Sequence, residues 1–489
     1  MMNYKIYFNR RFKQAFILAG SLILASCVYA GKTESGNLPA KQKKQAGRDI
    51  SCWITKPDKS ALLQKQAALL HFSTPDKNVQ AIVVDETSRY QAMDGFGAAL
   101  TGGSAQLINI LPKAEREKLL RKLFLLNDDG IGISYLRISI GASDLDASVF
   151  SYNDLPEGET DVDLKHFSLD PDRKDLIPVL KSILKLNPGI KIMASPWSAP
   201  VWMKDNRKSV GGSLLPEYYG VYAKYMVRYI NDMKAEGIPI DAITIQNEPL
   251  YGGNNPSMVM QADAQRDFIS KHLGPAFKTA GIKTKIVLYD HNCDRPDYAT
   301  SILSDPEAAQ YVDGSAFHLY GGEITALTTV HNAYPAKNVY FTEQWVGGPS
   351  KFAEDMKWYV ENIIVGAPRN WSKNVIEWNL ASDPSYNPHT PGGCTQCEGL
   401  ITIGGNASVT RNVAYYTIAH ASKFVPMGSV RIASNTLTNL PNVAYKTPDG
   451  KVVLIVLNTS KQNQVFEIGF GGKSAQATLP AGAVATYTW

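Results

Sequence analysis

The amino-acid sequence predicts an α/β fold: a (β/α)8 TIM barrel with a side β-sandwich domain built from both chain ends. Two observations support the barrel. Eight short apolar runs rich in β-branched residues follow residue 93, and amphipathic helix-like segments separate them. Strands that alternate with helices over about 330 residues are typical of this barrel. The sandwich is supported by a change of pattern after Pro426, where strand-like runs are separated by Gly, Pro, Asn and Ser.

The predicted barrel elements follow one another along the chain. Strands are predicted at 93–96, 134–138, 190–194, 242–246, 285–289, 314–318, 338–342 and 375–378. Helices are predicted at 113–126, 176–186, 217–236, 264–280 and 351–365, and after a long loop at 412–424. Further strands, outside the barrel, are predicted at 79–84, 452–457, 464–468 and 483–489.

The predicted domain boundaries follow from these elements. Residues 93–426 form the barrel, and residues 49–92 and 427–489 form the two parts of the β-sandwich. A C-terminal segment of about 60 residues is short for an independent sandwich, so one sandwich assembled from both ends is the economical arrangement.

The first 27 residues have the pattern of a signal peptide. Cationic residues precede an apolar run at 15–24, which is too short to span a bilayer. The run ends in Leu-Ala-Ser-Cys27, which resembles a bacterial lipobox, in which the cysteine is acylated; cleavage after Ala30 is the competing prediction. We expect an exported cell-envelope lipoprotein, held to the membrane through Cys27 and a flexible tether at 28–48, or a secreted protein.

The net charge of +5 is unevenly distributed along the chain. Residues 1–48 carry nine Lys or Arg and one Glu, a net charge of +8, which leaves the remainder at −3. A nucleic-acid-binding domain needs a basic stripe on its folded surface. The charge distribution therefore argues against a nucleic-acid partner.

A Cys-x-x-Cys pair, Cys394 and Cys397, lies in a Gly-rich loop. A zinc site would require a second pair nearby in the sequence, and a redox motif would require a helix start after a strand; the sequence has neither here. We expect a disulfide that stiffens the loop. The sequence leaves the pairing of Cys52 and Cys293 open.

Two glutamates stand at predicted strand ends. Strand 4 ends in Gln-Asn247-Glu248-Pro and strand 7 in Phe-Thr-Glu343-Gln. Active sites of such barrels lie at the carboxyl ends of the strands, and strands 4 and 7 face each other across the barrel mouth. We therefore expect the two carboxyl groups to converge on one bond.

Two converging carboxyl groups without metal ligands indicate glycoside hydrolysis. One carboxyl group must be protonated to assist the leaving oxygen, and the other must be ionised to attack the anomeric carbon. Asn247 is placed to hydrogen-bond a sugar 2-hydroxyl group. This chemistry requires no cofactor and no metal, and we expect neither. The alternative is that each glutamate belongs to a surface ion pair.

The residues from about 93 to the C-terminus resemble glycoside hydrolase family 30, which includes lysosomal glucosylceramidase and the β-1,6-glucanases. The resemblance is carried by an ordered set of motifs: Asp-Gly-Phe-Gly97, Leu-Arg137-Ile-Ser, Ala-Ser-Pro-Trp197-Ser-Ala-Pro, Gln-Asn-Glu248-Pro, Phe-His318-Leu-Tyr320, Glu-Trp378-Asn-Leu and His420-Ala-Ser-Lys-Phe-Val-Pro. It implies the same fold, a (β/α)8 barrel with a side β-sandwich.

The resemblance also implies roles for individual residues. Glu248 corresponds to the general acid/base and Glu343 to the nucleophile. The other implied site residues are Tyr320 and Arg137 beside the nucleophile, His318 on the same strand end as Tyr320, and Trp197 and Trp378 around the −1 sugar. The alternatives are a core histidine for His318 and a barrel-interior ion pair for Arg137. Trp202 is left between core and cleft.

The chain departs from the glucosylceramidase pattern at three places. Gly102 stands where glucosylceramidases have an aspartate that binds sugar hydroxyl groups, Leu319 replaces a tryptophan, and the loop at 383–397 differs and carries its own cysteine pair. These changes favour a polymeric or differently decorated glycan.

The sequence therefore predicts a retaining β-glycoside hydrolase whose partner is a β-linked glucan or glucoside, with a β-1,6-glucanase as the best hypothesis. A glucosylceramidase or simple β-glucosidase is the close alternative, and a β-xylosidase or β-fucosidase is a weaker alternative. A glycan-binding lipoprotein without catalytic activity is the alternative from another class.

Overall fold

Eight parallel strands close into a barrel in the computed structural model, which describes residues 49–127 and 129–489. The barrel strands are labelled in chain order: β1 (Gly95–Ala99), β2 (Tyr135–Ile140), β3 (Lys191–Pro196), β4 (Ala242–Thr244), β5 (Lys285–Cys293), β6 (Val312–Gly322), β7 (Asn338–Glu343) and β8 (Ser372–Glu377). Each pairs in parallel with its neighbours, and β8 pairs with β1 to complete the ring. The predicted fold class is confirmed.

The barrel interior is packed with side chains rather than open. Residues from seven of the strands form a buried cluster of their own: Tyr135, Met193, Ala242, Val287, Ala316, Tyr340 and Ile376. Two glycines allow neighbouring strands to approach closely. A Cβ at Gly97 would lie 1.8 Å from the Tyr135 carbonyl oxygen, and one at Gly314 would lie 2.2 Å from that of Asn338.

Helices surround the barrel on the outside. The longer ones, with the bounds that the structure gives, are α1 (Gly102–Asn109), α2 (Lys113–Phe124), α3 (Leu176–Leu186), α4 (Tyr219–Ala235), α5 (Ala262–Phe268), α6 (Gly274–Ala280), α7 (Pro296–Leu303), α8 (Ala326–Ala333), α9 (Phe352–Tyr359) and α10 (Val413–Ser422). Two predicted helices contain a wider π turn: Ile269–Leu273 joins α5 to α6, and Val360–Val365 extends α9.

A second sheet of nine strands lies beside the barrel. Its order is Gln64–Lys65, Ser51–Thr55, Val484–Thr488, Val452–Leu457, Asn442–Lys446, Val430–Ser434, Ala81–Ala92, Gln464–Phe470 and Lys473–Leu479. Residues near opposite ends of this order, such as Ile54 and Ala477, belong to one apolar core, so the sheet folds over on itself as a sandwich. Both chain ends contribute strands to it, as predicted.

The barrel and the sandwich share a buried interface. His420, on α10, hydrogen-bonds Thr486 through Nδ1 (2.9 Å) and Thr55 through Nε2 (2.8 Å). Its imidazole is fully buried, which lowers the pKa of His420 to about 3 and keeps it neutral. One barrel helix thus contacts the first and the last strands of the sandwich.

The predicted signal peptide, Cys27 and the tether at 28–48 lie outside the described residues. Within residues 49–127 and 129–489, none of the helices combines the length and the apolar character needed to cross a membrane.

Candidate active site

A cavity of about 710 Å³ lies among residues that end or follow the barrel strands. It brings together most of the predicted site residues: Trp197, Asn247, Glu248, Tyr320, Glu343, Trp378, Cys394 and Cys397. Two predicted residues do not line it. Arg137 and His318 are fully buried, directly behind the two glutamates.

Glu343, the last residue of β7, is held by two donors. Arg137 Nη1 donates to its Oε2 (2.6 Å), and the Tyr320 hydroxyl donates to its Oε1 (3.1 Å). The Arg137 guanidinium also lies 4.9 Å from the Trp197 ring centroid, so its charge is surrounded by carboxylates and an aromatic face. The nucleophile candidate therefore has a fixed orientation and a permanent cation beside it.

Glu248 follows β4 in a left-handed backbone conformation, with φ of 45°. Its N–H donates to the Asp290 carbonyl oxygen (3.0 Å), while the N–H of Asn247 donates to that of Pro196 (2.7 Å). Such conformations persist only where the surroundings enforce them. These two bonds turn the Glu248 carboxyl group into the cavity opposite Glu343.

The two carboxyl groups lie close to each other. One oxygen of Glu248, one oxygen of Glu343 and one nitrogen of His318 are all within 4.8 Å of one another. Inverting glycosidases separate their carboxyl groups by about 6.5–9.5 Å to admit a water, whereas retaining ones keep them about 5–5.5 Å apart. The approach of one oxygen of each carboxyl group to within 4.8 Å fits the closer spacing of a retaining enzyme.

His318 bridges the two glutamates from behind. Its Nδ1 lies 3.3 Å from Glu248 Oε1 and 3.7 Å from Glu343 Oε1, and its Nε2 lies 3.1 Å from Asp290 Oδ1. Burial alone would lower the pKa of His318, but the carboxylates around it, Glu343 foremost, raise it to about 9. His318 is therefore an imidazolium, with both nitrogens committed as donors.

Asp290, on β5, was not predicted. It is fully buried and binds Arg137 Nη2 (2.7 Å) as well as His318. The hydroxyl groups of Thr244 and Thr342 also donate to its carboxylate, at 2.7 and 2.6 Å. Burial would raise the pKa of Asp290, but Arg137 and His318 hold it well below its usual range. Asp290 is thus the counter-charge that keeps both cations in place.

The pKa values of the two glutamates are ordered differently from the expectation of a protonated Glu248 and an ionised Glu343. Burial raises the pKa of Glu343 more than His318 and Arg137 lower it. At Glu248, burial is outweighed by the hydrogen bond and the charge of His318, which hold its pKa below the usual value. The closer approach of His318 to Glu248 explains this order.

Aromatic side chains form one wall of the cavity. Trp197 and Trp378 stack with their ring centroids 5.2 Å apart, and Trp345 packs against the same apolar cluster. The indole N–H of Trp197 is buried and has no hydrogen-bond partner among the described residues. Trp202 lies in the core instead, where its N–H donates to the Asn153 carbonyl (3.0 Å).

Asp144 is the second site residue that sequence analysis missed. It lines the cavity from the loop after β2, and burial together with the charge of Glu343 raises its pKa to about 7. Gly102 lies against Asp146 and is not among the residues that line the cavity. A Cβ there would come within 1.7 Å of Asp146 Oδ1, so the glycine makes room for the loop that carries Asp144. The cavity therefore does contain a third carboxyl group.

The Cys394–Cys397 disulfide is present, with Cα atoms 5.8 Å apart, and it lines the same cavity. Cys52 and Cys293 are buried free thiols.

Among the described residues, one group has the geometry to hold a metal ion: Glu248, His318 and Glu343. A metal needs a neutral imidazole with a free lone pair. Both nitrogens of His318 face carboxylates, and the raised pKa keeps it protonated at neutral pH. The group therefore suits proton chemistry better than metal binding.

Two family models match nearly the whole described chain. Residues 93–425 match the glycosyl hydrolase family 30 TIM-barrel domain, and residues 428–487 match the glycosyl hydrolase family 30 β-sandwich domain. The chain belongs to glycoside hydrolase family 30. It is a glycoside hydrolase, and the short separation of its two carboxyl groups is that of the retaining class.

Relatives within the family cover most of both chains. The chain is 35% identical to an endo-1,6-β-D-glucanase of Neurospora crassa over 80% of its length and 84% of the relative. It is 31% identical to the lysosomal acid glucosylceramidase of Mus musculus, over 83% of each. The solved structure of the endo-β1,6-glucanase BT3312 matches with a TM-score of 0.83 and 35% identity, over 90% of this chain and 99% of that one.

Proposed function

We propose that this family 30 enzyme hydrolyses β-1,6-linked glucan by double displacement, with Glu343 as nucleophile and Glu248 as general acid/base. The observation that carries the mechanism is that one oxygen of Glu248 lies within 4.8 Å of one oxygen of Glu343, while Arg137 and Tyr320 both donate to Glu343. The substrate is inferred from the endo-1,6-β-glucanases at 35% identity and from a cavity that contains both polar and aromatic side chains.

In the first step, Glu343 attacks the anomeric carbon, while Glu248 gives its proton to the departing glycosidic oxygen. In the second step, Glu248 takes a proton from a water molecule, which displaces Glu343 from the sugar. Each displacement inverts the anomeric carbon, so the product keeps the β configuration.

Other cavity residues would hold the −1 sugar. The Asn247 amide oxygen already accepts a hydrogen bond from Arg137 Nη2 (2.7 Å), which leaves its NH2 group for the 2-hydroxyl group. Asp144 offers carboxylate oxygens to the remaining hydroxyl groups, and the side chain of Trp197 lines the same cavity.

His318 provides a route for the proton between the two glutamates. Its Nδ1 donates to Glu248 (3.3 Å) and lies 3.7 Å from Glu343, so a short shift would bring it within hydrogen-bond range of the second carboxylate. Positive charge that develops at the anomeric carbon favours an ionised Glu343. We infer that the order of the two pKa values therefore reverses when the sugar is bound, so that Glu248 is the glutamate that carries a proton.

A substrate panel tests the proposed specificity. We expect turnover of pustulan, a linear β-1,6-glucan, to exceed that of glucosylceramide and of aryl β-xylosides and β-fucosides. Endo action predicts that oligosaccharides appear before glucose. The second candidate substrate is glucosylceramide, because family relatives named as glucosylceramidases are 29–32% identical to the chain. No turnover of any β-glucoside would leave the non-catalytic glycan-binding alternative and end the proposal.

The nucleophile is tested by Glu343→Ala with sodium azide. Loss of the carboxylate should lower kcat on 2,4-dinitrophenyl β-glucoside by at least about 10⁴-fold, and azide should restore part of it. The rescued product should be the α-glucosyl azide, because azide then attacks in place of Glu343. Glu323→Ala, at an exposed position close to the end of β6, is the matched control and should keep full activity. A fully active Glu343→Ala enzyme would contradict the assignment.

We also propose export as a lipoprotein acylated at Cys27, supported by the Leu-Ala-Ser-Cys27 pattern after an apolar run. Mass spectrometry of the mature protein should find acylated Cys27 as its first residue, and Cys27→Ala should lose the lipid. A free N-terminal Gly31 would show ordinary cleavage after Ala30 instead.

A further inference from the structure

The loop that follows β8 forms part of the cavity wall through its disulfide. Cys397 is buried in one apolar cluster with Trp197 and Trp378, and Cys394 packs against the same cluster. Both cysteines thus belong to the cavity wall that contains the two rings of the −1 site, not to a remote surface.

The same loop is joined to the loop that carries the nucleophile. Cys397 pairs with Gly347 in a short antiparallel ladder, and the N–H of Gly348 donates to the Gln396 carbonyl oxygen (2.7 Å). Gly347 lies only four residues beyond Glu343. The disulfide loop is therefore anchored on its Cys397 side by backbone hydrogen bonds.

On its Cys394 side, the loop holds Asp144. The N–H of Cys394 donates to Asp144 Oδ2 (3.2 Å), and the N–H of Thr390 donates to the Asp144 carbonyl oxygen (2.9 Å). The approach is close: a Cβ at Gly393 would lie 2.3 Å from that carbonyl oxygen. Cys394 therefore donates a backbone hydrogen bond directly to the carboxylate of Asp144, which lines the cavity.

The disulfide closes a ring of only four residues, Cys394 to Cys397. A ring this short removes little entropy from the unfolded chain, so its effect on global stability is small. Thr395 and Gln396, between the cysteines, are exposed. The contribution of the bond is therefore local: it fixes Cys394, which touches Asp144, relative to Cys397, which is anchored in the wall.

We propose that the Cys394–Cys397 disulfide is a positioning element for the −1 sugar, which holds the Cys394 N–H on Asp144 and the wall against Trp378. Reduction of the bond weakens sugar binding while Glu248 and Glu343 stay in place. The inference rests on the proposed glycosidase site but not on the β-1,6 linkage.

The test compares the oxidised enzyme with the enzyme treated with tris(2-carboxyethyl)phosphine, on 4-nitrophenyl β-glucoside and on pustulan. The phosphine is oxidised to its oxide as the S–S bond becomes two thiols. We expect KM to rise about tenfold, the value of one charge-assisted hydrogen bond, with kcat changed less than about twofold. Removal of the phosphine and addition of oxidised glutathione should restore the original KM.

Two variants control this experiment. Cys394→Ser/Cys397→Ser should show the raised KM without phosphine and no further change with it. Thr395→Ala, inside the ring but exposed, should keep both the original KM and the response to reduction. Circular dichroism melting should show the double variant folded at the assay temperature.

Three results would overturn the proposal: an unchanged KM after complete reduction, an equal response to phosphine in the double-serine variant, or a fall in kcat alone. Failure of the β-1,6 assignment has a different outcome. In that case the oxidised enzyme leaves pustulan intact but still hydrolyses the aryl glycoside, on which the effect of reduction remains measurable.

Discussion

Asp290→Asn tests whether the buried charges behind the two glutamates support catalysis. Asp290 Oδ2 accepts hydrogen bonds from Arg137 and Thr244, and Oδ1 accepts from Thr342 and His318. Asparagine has the same shape but no charge, and one of its two terminal atoms is a donor. The NH2 group of the asparagine must therefore take the place of one carboxylate oxygen, where it faces two donors instead of accepting from them.

The contacts set the size of the effect. A hydrogen bond to a charged group contributes about 1.5–3 kcal/mol, against about 1 kcal/mol for a neutral one. In the variant, Glu343 is the remaining carboxylate partner of Arg137, and His318 has lost the anion at its Nε2, so its pKa falls. We expect a loss of about 3 kcal/mol of transition-state stabilisation, so that kcat/KM for an aryl β-glucoside falls about 150-fold.

The assay is steady-state hydrolysis of 4-nitrophenyl β-glucoside, with a thermal melt to establish that the variant is folded. Asp313→Asn is the matched control. Asp313 is on the same barrel but near the start of β6, where it accepts from the Tyr340 hydroxyl (2.6 Å) and the Asn338 amide (2.9 Å). It should stay within about threefold of the wild type. A folded Asp290→Asn enzyme within that same range would refute the reasoning.

Two further predictions follow from the carboxyl groups. Glu248→Ala should lower the rate of hydrolysis far more for substrates with poor leaving groups than for 2,4-dinitrophenyl β-glucoside. Azide should then give the β-glucosyl azide, the opposite anomer to that from Glu343→Ala. Formation of the α anomer would mean that the two roles are reversed. The free energy of unfolding should fall as pH rises from about 4 to 7. Burial raises the pKa of Asp144 and Asp172 to about 7 and that of Asp146 to about 6. Because each folded-state pKa lies above its unfolded value, the stability that the protonated group contributes is lost as the group ionises. Urea denaturation should show up to about 1.4 kcal/mol per pH unit for each such group, and Asp172→Asn should reduce the slope; a slope of opposite sign would contradict this.

The strands of the barrel could be predicted because most of their residues are buried on both faces, which makes them short and largely apolar runs. The prediction for 452–457 in the sandwich coincides with the strand for the same reason. The strand Lys473–Leu479 was missed, since six of its seven residues are small or polar. Strand β1 begins two residues later than predicted, at Gly95, because glycines carry little strand preference and its register comes from its neighbours.

The sequence contains a signal for one of the two missed site residues, Asp290, but not for the other, Asp144. Asp290 directly follows the predicted strand at 285–289, so the rule that singled out Glu248 and Glu343 applies to it as well. Asp144 stands seven residues beyond Arg137, in a loop whose path depends on Asp146, Gly102 and the Cys394 N–H. Only tertiary contacts bring it to the cavity. The pKa order of the glutamates was likewise beyond sequence, because it depends on the distances of His318 from each.

The sandwich places the first strand of the described chain beside the last. Ser51 lies opposite Thr488, and Thr55 lies opposite Val484, so neighbouring strands are separated by about 430 residues of chain. A ribosome finishes the entire barrel before it makes the partner of Ser51–Thr55. The N-terminal strands must therefore remain unpaired on this side throughout synthesis, and the side domain can be completed only as the last residues emerge. In this molecule the smaller domain contains the first strand of the described chain, yet it cannot be complete until the last strand is available.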